Sequence, residues 1–121
     1  MKSPKLAIFI FASLILVAGG HAHGAEFLTG KALLSLCEDK TPHGYNPGIC
    51  IGYISGASDQ LDGLKGSALP DLNYCLPSTA STGELREVVV NFLKQHPERL
   101  DQQASFLIFD ALTRAYACAA H

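Results

Sequence analysis

The chain has no Cys-x-x-Cys pair, and its basic residues are few. Past its first two dozen positions it has no apolar run long enough to cross a membrane. Each absence removes a class of function. Without Cys-x-x-Cys, zinc-finger ligation and thioredoxin-like redox chemistry are both disfavoured. The nine basic residues fall to seven once Lys2 and Lys5 are set aside, against eleven acidic ones, a charge of −4 with histidines neutral. A mildly acidic surface lacks the basic face that nucleic acid requires, and it suits a basic partner. No segment alternates polar and apolar residues over a useful strand length, although 48–53 is ambiguous, and no internal repeat is present. Sandwich, barrel and solenoid readings fall away, and helices remain.

What is present begins with a leader. Lys2 and Lys5 precede an apolar stretch from Leu6 to Val17 broken by Ser13, and small residues follow. This reads as a secretory signal peptide cleaved between Gly20 and Ala25, with Ala22-His23-Gly24 and Gly20-His21-Ala22 both fitting the small-x-small rule. An uncleaved anchor is the competing reading, and the run is short for it. Residues 1–24 are therefore assigned to the leader and 25–121 to one domain. Its four cysteines, Cys37, Cys50, Cys75 and Cys118, read as two disulfides in a small exported domain. Cys37–Cys50 with Cys75–Cys118 is the preferred pairing, because the first spans one loop and the second ties a long loop to the last helix. Cys37–Cys118 with Cys50–Cys75 is the alternative. In the chain-entropy model the preferred bridges contribute about 3 and about 4 kcal/mol, comparable with the net stability of a small domain.

The best-marked element is a helix over 81–95. Ser81-Thr82-Gly83-Glu84 has capping-box form. Leu85, Val88, Val89, Phe92, Leu93 and His96 then recur at helical spacing, and Pro97 stops the run. Three further helices are expected: 29–38 with Thr29 as N-cap, 49–64, and one from 97 or 100 to 117. The second carries Gly52, Gly56 and Gly63 on one stripe. Each glycine weakens a helix by about 1 kcal/mol relative to alanine, so the stripe predicts a close approach by another segment. Residues 39–48 and 65–80 read as loops, the longer one tethered at Cys75. The expected fold is all-α, a small bundle of about four helices stapled by two disulfides.

Catalytic and metal constellations are missing. None of His21, His23, His43, His96 and His121 has a second histidine or a cysteine at i+3 or i+4. A chain beginning at His21-Ala22-His23 could bind copper through its amine, the one metal reading available and a minor one. Ser55 and Ser58 beside Asp59 share one helix and lack a base. His96 reads as a packed or helix-capping residue, and Phe106, Phe109 and Tyr116 as core or dimer contacts. No enzyme activity, metal or cofactor is expected.

Three ordered blocks carry a family resemblance. Cys50-x-Gly52-Tyr53-Ile54-x-Gly56-x-x-Asp59 is the first. Cys75-Leu76-Pro77, with Gly83-Glu84-Leu85, Val88-Val89, Phe92-Leu93 and His96-Pro97-Glu98, is the second. Ala111-Leu112, Ala115 and Cys118 form the third. Together they resemble the Rap/Tai family of immunity proteins against type VI secretion amidase effectors. One departure is Ala117, where the family pattern has proline. The resemblance implies an all-helical, disulfide-bonded periplasmic protein, often a homodimer, that binds a secreted peptidoglycan amidase and blocks its cleft. The alternatives are a small periplasmic acid-stress chaperone or a structural envelope module. The matching residues are structural ones, so the inhibitory surface has to come from elsewhere. A rigid loop suits it, because little entropy is lost on docking. Of the two loops, 65–80 and 96–103, the second is short and braced by two helices. Glu98, Arg99 and Asp101 are its candidate partner-binding residues.

Overall fold

A computed structural model describes residues 27–120, and the proposed leader, its cleavage sites, His21, His23 and His121 lie outside them. Four helices follow in order: α1 Gly30–Glu38, α2 Tyr45–Ser67, α3 Thr82–Gln95 and α4 Ala104–Ala115, with a 3-10 turn at Pro97–Arg99 between the last two. Among the described residues the one β-type pairing is an isolated bridge between Thr29 and Gln103. The fold is the expected all-α bundle. Two disulfides staple it with the preferred connectivity, Cys37–Cys50 and Cys75–Cys118.

The local signals explain the ends of α1 and α3. Thr29 Oγ1 accepts from Ala32 N at 3.2 Å. Ser81 Oγ accepts from Glu84 N at 3.2 Å, and Glu84 Oε2 accepts from Ser81 N at 2.6 Å, which closes the capping box. The Ser81 donors hold the Glu84 carboxyl below its usual value. His96 ends α3 in a non-helical conformation ahead of Pro97.

Two boundaries differ from expectation. α2 starts at Tyr45, four residues earlier than Ile49, and runs on to Ser67. Pro47 falls in its first turn, where the missing N–H has no intrahelical partner to lose. The chain turns into α2 around Asp39, whose carboxylate accepts from Thr41 N, Thr41 Oγ1 and Asn46 Nδ2 at 2.8, 2.6 and 2.8 Å. Those bonds, Thr41's first, hold the Asp39 carboxyl below its usual value. His43 takes a positive φ of 54° in this turn. α4 starts at Ala104 and ends at Ala115, shorter than expected at both ends. Leu100 and Gln102 spend their carbonyls on α1, and Cys118 lies past the helix, in the tail.

The core joins all four helices: Leu33 and Cys37 of α1, Cys50, Ile54 and Leu61 of α2, Leu85, Val89 and Leu93 of α3, and Leu107, Ile108, Ala111 and Leu112 of α4. The α3 residues among them lie on the face that the helical spacing marked. Phe106, expected as a core or dimer contact, is exposed, as is Ala115. Tyr74, from the long loop, is fully buried among them. Its hydroxyl meets Ser58 Oγ at 2.9 Å, which also accounts for a buried serine in α2. Burial pushes the Tyr74 phenol above its usual value.

The close approach expected at Gly52, Gly56 and Gly63 is absent. A Cβ at any of them would meet open space. The glycine that a close approach does require is Gly30. A Cβ there would sit 2.4 Å from Leu107 Cδ1 and 3.2 Å from the Leu100 carbonyl oxygen.

Candidate partner interface

The connection from α3 to α4 is held by main-chain bonds to the start of α1. Gly30 N donates to Gln102 O at 2.9 Å, Lys31 N to Leu100 O at 2.8 Å, and Ala104 N to Leu28 O at 2.7 Å. Arg99 N returns to His96 O at 3.0 Å within the connection itself. Main-chain pairing of this density removes the backbone freedom that a docking loop would otherwise lose on binding.

The three candidate side chains on this connection do not act alike. Glu98 and Asp101 are exposed. Arg99 turns inward: Nη1 donates to Asp110 Oδ2 at 2.7 Å, and Nε and Nη2 each reach Gln102 Oε1 at 3.2 Å. Its guanidinium lies 5.6 Å from the centroid of the Phe92 ring, and the Arg114 guanidinium lies 5.7 Å from it. Arg114 also approaches Asp110, one turn earlier on α4, at 3.8 Å. Phe92, Arg99, Asp110 and Arg114 therefore form a brace between the connection, α3 and α4. Cation–ring attraction of this kind is worth about 0.5–1 kcal/mol at exposed sites. The i, i+4 spacing of Asp110 and Arg114 was open to view in the sequence. The part played by Arg99 was not, because it depends on how the connection folds over α4.

His96 extends the same surface. Its ring lies 4.4 Å from that of Phe92, and Nδ1 is 3.2 Å from Glu98 Oε1. The Glu98 carboxyl is held below its usual value, first by its own backbone N–H and then by His96. Beside this end, α3 and α4 border a shallow hollow of about 410 Å³ lined by Val88, Phe92, His96, Ala111 and Arg114. The connection thus presents two exposed carboxylates, Glu98, which meets His96 at the edge of this hollow, and Asp101 further along the chain.

The long loop is fastened as firmly, by different means. Besides Tyr74 and the Cys75–Cys118 bridge, Cys75 N donates to Tyr116 O at 2.8 Å and Cys118 N to Asn73 Oδ1 at 2.9 Å. Lys65 Nζ donates to Tyr74 O at 2.5 Å. No group of three or more metal-ligating side chains occurs among the described residues. His43 and His96 lie on separate segments, and Ser58 is committed to Tyr74.

The family model of the Rap1a immunity proteins matches residues 29–118. The matched segment runs from the N-cap of α1 to the last cysteine, so it takes in all four helices, both bridges and both loops. No curated protein and no solved structure is matched. A match over three quarters of the chain, on a four-helix frame closed by two disulfides, makes this protein a member of the Rap1a immunity protein family.

Proposed function

We propose that the protein is the antidote to a peptidoglycan-cleaving amidase delivered by type VI secretion. Membership of the family carries an immunity role exerted on a partner effector. The finer reading has the chain exported by its leader and held in the periplasm, where the effector arrives. It inhibits by occupying the effector's cleft, and the inhibition itself involves no chemical step. A homodimer is part of the same proposal, and sedimentation of the exported protein checks it.

The observation that carries this reading is the family match over 29–118. The pinned connection supplies its means, since it projects Glu98 and Asp101 toward a basic partner without a large ordering cost. Co-expression with a candidate amidase exported to the periplasm is the direct test. Cells carrying the protein should survive an effector that lyses cells lacking it, and lysis despite expression removes the proposed target.

Glu98 and Asp101 changed together to alanine should leave melting within about 0.5 kcal/mol per site, as exposed substitutions do. Effector binding should weaken at least about tenfold, equal to about 1.4 kcal/mol, which calorimetry measures. Arg99 is left out of this variant because it braces α4. A double mutant that folds and still protects cells moves the interface to the long loop or to an exposed helix face.

A further inference from the structure

The two disulfides sit in opposite surroundings. Cys37 and Cys50 are both completely buried. Cys75 is exposed and Cys118 half-buried. Beside the second bridge lies an ammonium group: Lys65 Nζ is 3.1 Å from Cys75 Sγ and 3.5 Å from Cys118 Sγ. Lys65 stands in the last turn of α2, where the helix end favours a cation. Its bond to the Tyr74 carbonyl holds it there. The cation nearest the Cys37–Cys50 bridge, Arg86, is committed through Nη2 to the Cys37 carbonyl oxygen, whereas Lys65 reaches the sulfurs themselves.

Exchange between a thiol and a disulfide is attack by a thiolate on one sulfur with departure of the other as a thiolate. It requires access to the sulfur, and it is faster when the departing thiolate is stabilised. A neighbouring lysine supplies that stabilisation and also attracts the anionic nucleophile. We propose that Cys75–Cys118 is a thiol-exchange site of this protein, with Lys65 as its positioning residue and a low-molecular-weight or protein thiol as its substrate class. Cys75 is nearer the ammonium and is the better leaving group, so the incoming sulfur bonds to Cys118. One S–S bond forms between the external thiol and Cys118, and one breaks. The electron pair of the broken bond goes to Cys75, which departs as a thiolate beside Lys65. A second thiolate attacking the external sulfur of the mixed disulfide completes a two-electron reduction, giving the Cys118 thiol and an oxidised thiol pair. Cys37–Cys50 is shut off by burial and stays closed throughout. This site goes beyond the inhibitory reading and does not depend on it, since it needs no effector.

The test uses the folded, fully oxidised protein with reduced glutathione, quenched by alkylation and read by mass spectrometry of peptides. Cys75–Cys118 should open at least about tenfold faster than Cys37–Cys50, with glutathione found on Cys118. Lys65→Met should slow the opening of Cys75–Cys118 severalfold, and Lys65→Arg should restore much of it. A lysine that merely held the fold together would give the opposite sign, because a loosened protein exposes both bridges and both open faster. If Lys65→Met does not fold, the order of opening in the unaltered protein and the Lys65→Arg rate still decide the matter. Simultaneous opening of the two bridges, glutathione on Cys75, or an unchanged or faster rate in Lys65→Met would overturn the proposal.

Discussion

Tyr74→Ala should be among the most damaging single substitutions in the protein, costing about 3–5 kcal/mol, the range for removing a buried aromatic ring. Three losses coincide there. The ring is completely buried, so its removal leaves a void under the long loop. Its hydroxyl is the partner of Ser58 Oγ, a buried group that would be left unpaired at a cost of about 1–3 kcal/mol. The loop segment it anchors is also the one that meets the α4 tail through Cys75 N and Tyr116 O. Tyr74→Phe separates these effects, since it keeps the ring and loses the hydroxyl, and should cost about 1–3 kcal/mol. Urea unfolding of the oxidised proteins measures both. A change of under about 1 kcal/mol for Tyr74→Ala would show that the disulfide alone holds the loop.

Gly30→Val should cost about 1–3 kcal/mol through overpacking. The added atoms would have to displace Leu107, a fully buried residue of α4, and the Leu100 carbonyl that receives the Lys31 N–H. Side chain and backbone are therefore strained at once, and the effect should reach the connection as well as the core. Hydrogen exchange in the variant should quicken at the position-30 amide and at Lys31 and Ala104. Gly56→Ala is the contrasting case. It sits mid-helix facing open space, so alanine should raise stability by up to about 1 kcal/mol through helix propensity alone. Thermal melts of the two variants should move in opposite directions. Equal destabilisation by both would mean that the exposed stripe on α2 is covered in solution.

Those two glycines mark the boundary of what could be read in advance. The capping box at Ser81 and Glu84, the stop at Pro97 and the apolar faces of α1, α3 and α4 are local patterns, and the residues that set them are neighbours in the chain. The disulfide pairing was accessible because loop length and helix position narrow three connectivities to one preference. Close approach is different. Gly52 and Gly56 share a helical stripe that looks built for it and face nothing, whereas Gly30 bears the contact because residues 100 and 107 are brought to it by the fold. Tyr74 was lost for the same reason: a tyrosine in a loop declares neither burial nor a serine sixteen residues away. Pro47 lies in the 39–48 stretch that reads as a loop by composition, yet it falls in the first turn of α2, since a proline ends a helix or opens one according to which turn it occupies. In the candidate interface, the charge triplet at 98, 99 and 101 was visible as charge. Its division into two outward carboxylates and one inward guanidinium depends on Asp110 and Phe92, which lie on other elements.

The three bonds between Leu28–Lys31 and Leu100–Ala104 are made entirely by peptide groups. Peptide N–H and C=O groups are the same in every non-proline residue, so this clasp places almost no demand on which side chains occupy the tip between its two halves. Glu98 and Asp101 could be exchanged for other residues while the outline of the loop persisted. An antidote built this way separates the shape it presents from the letters that write it. The recognition surface proposed at 98 and 101 could then change, one substitution at a time, to follow a changing effector, while the scaffold beneath is left untouched.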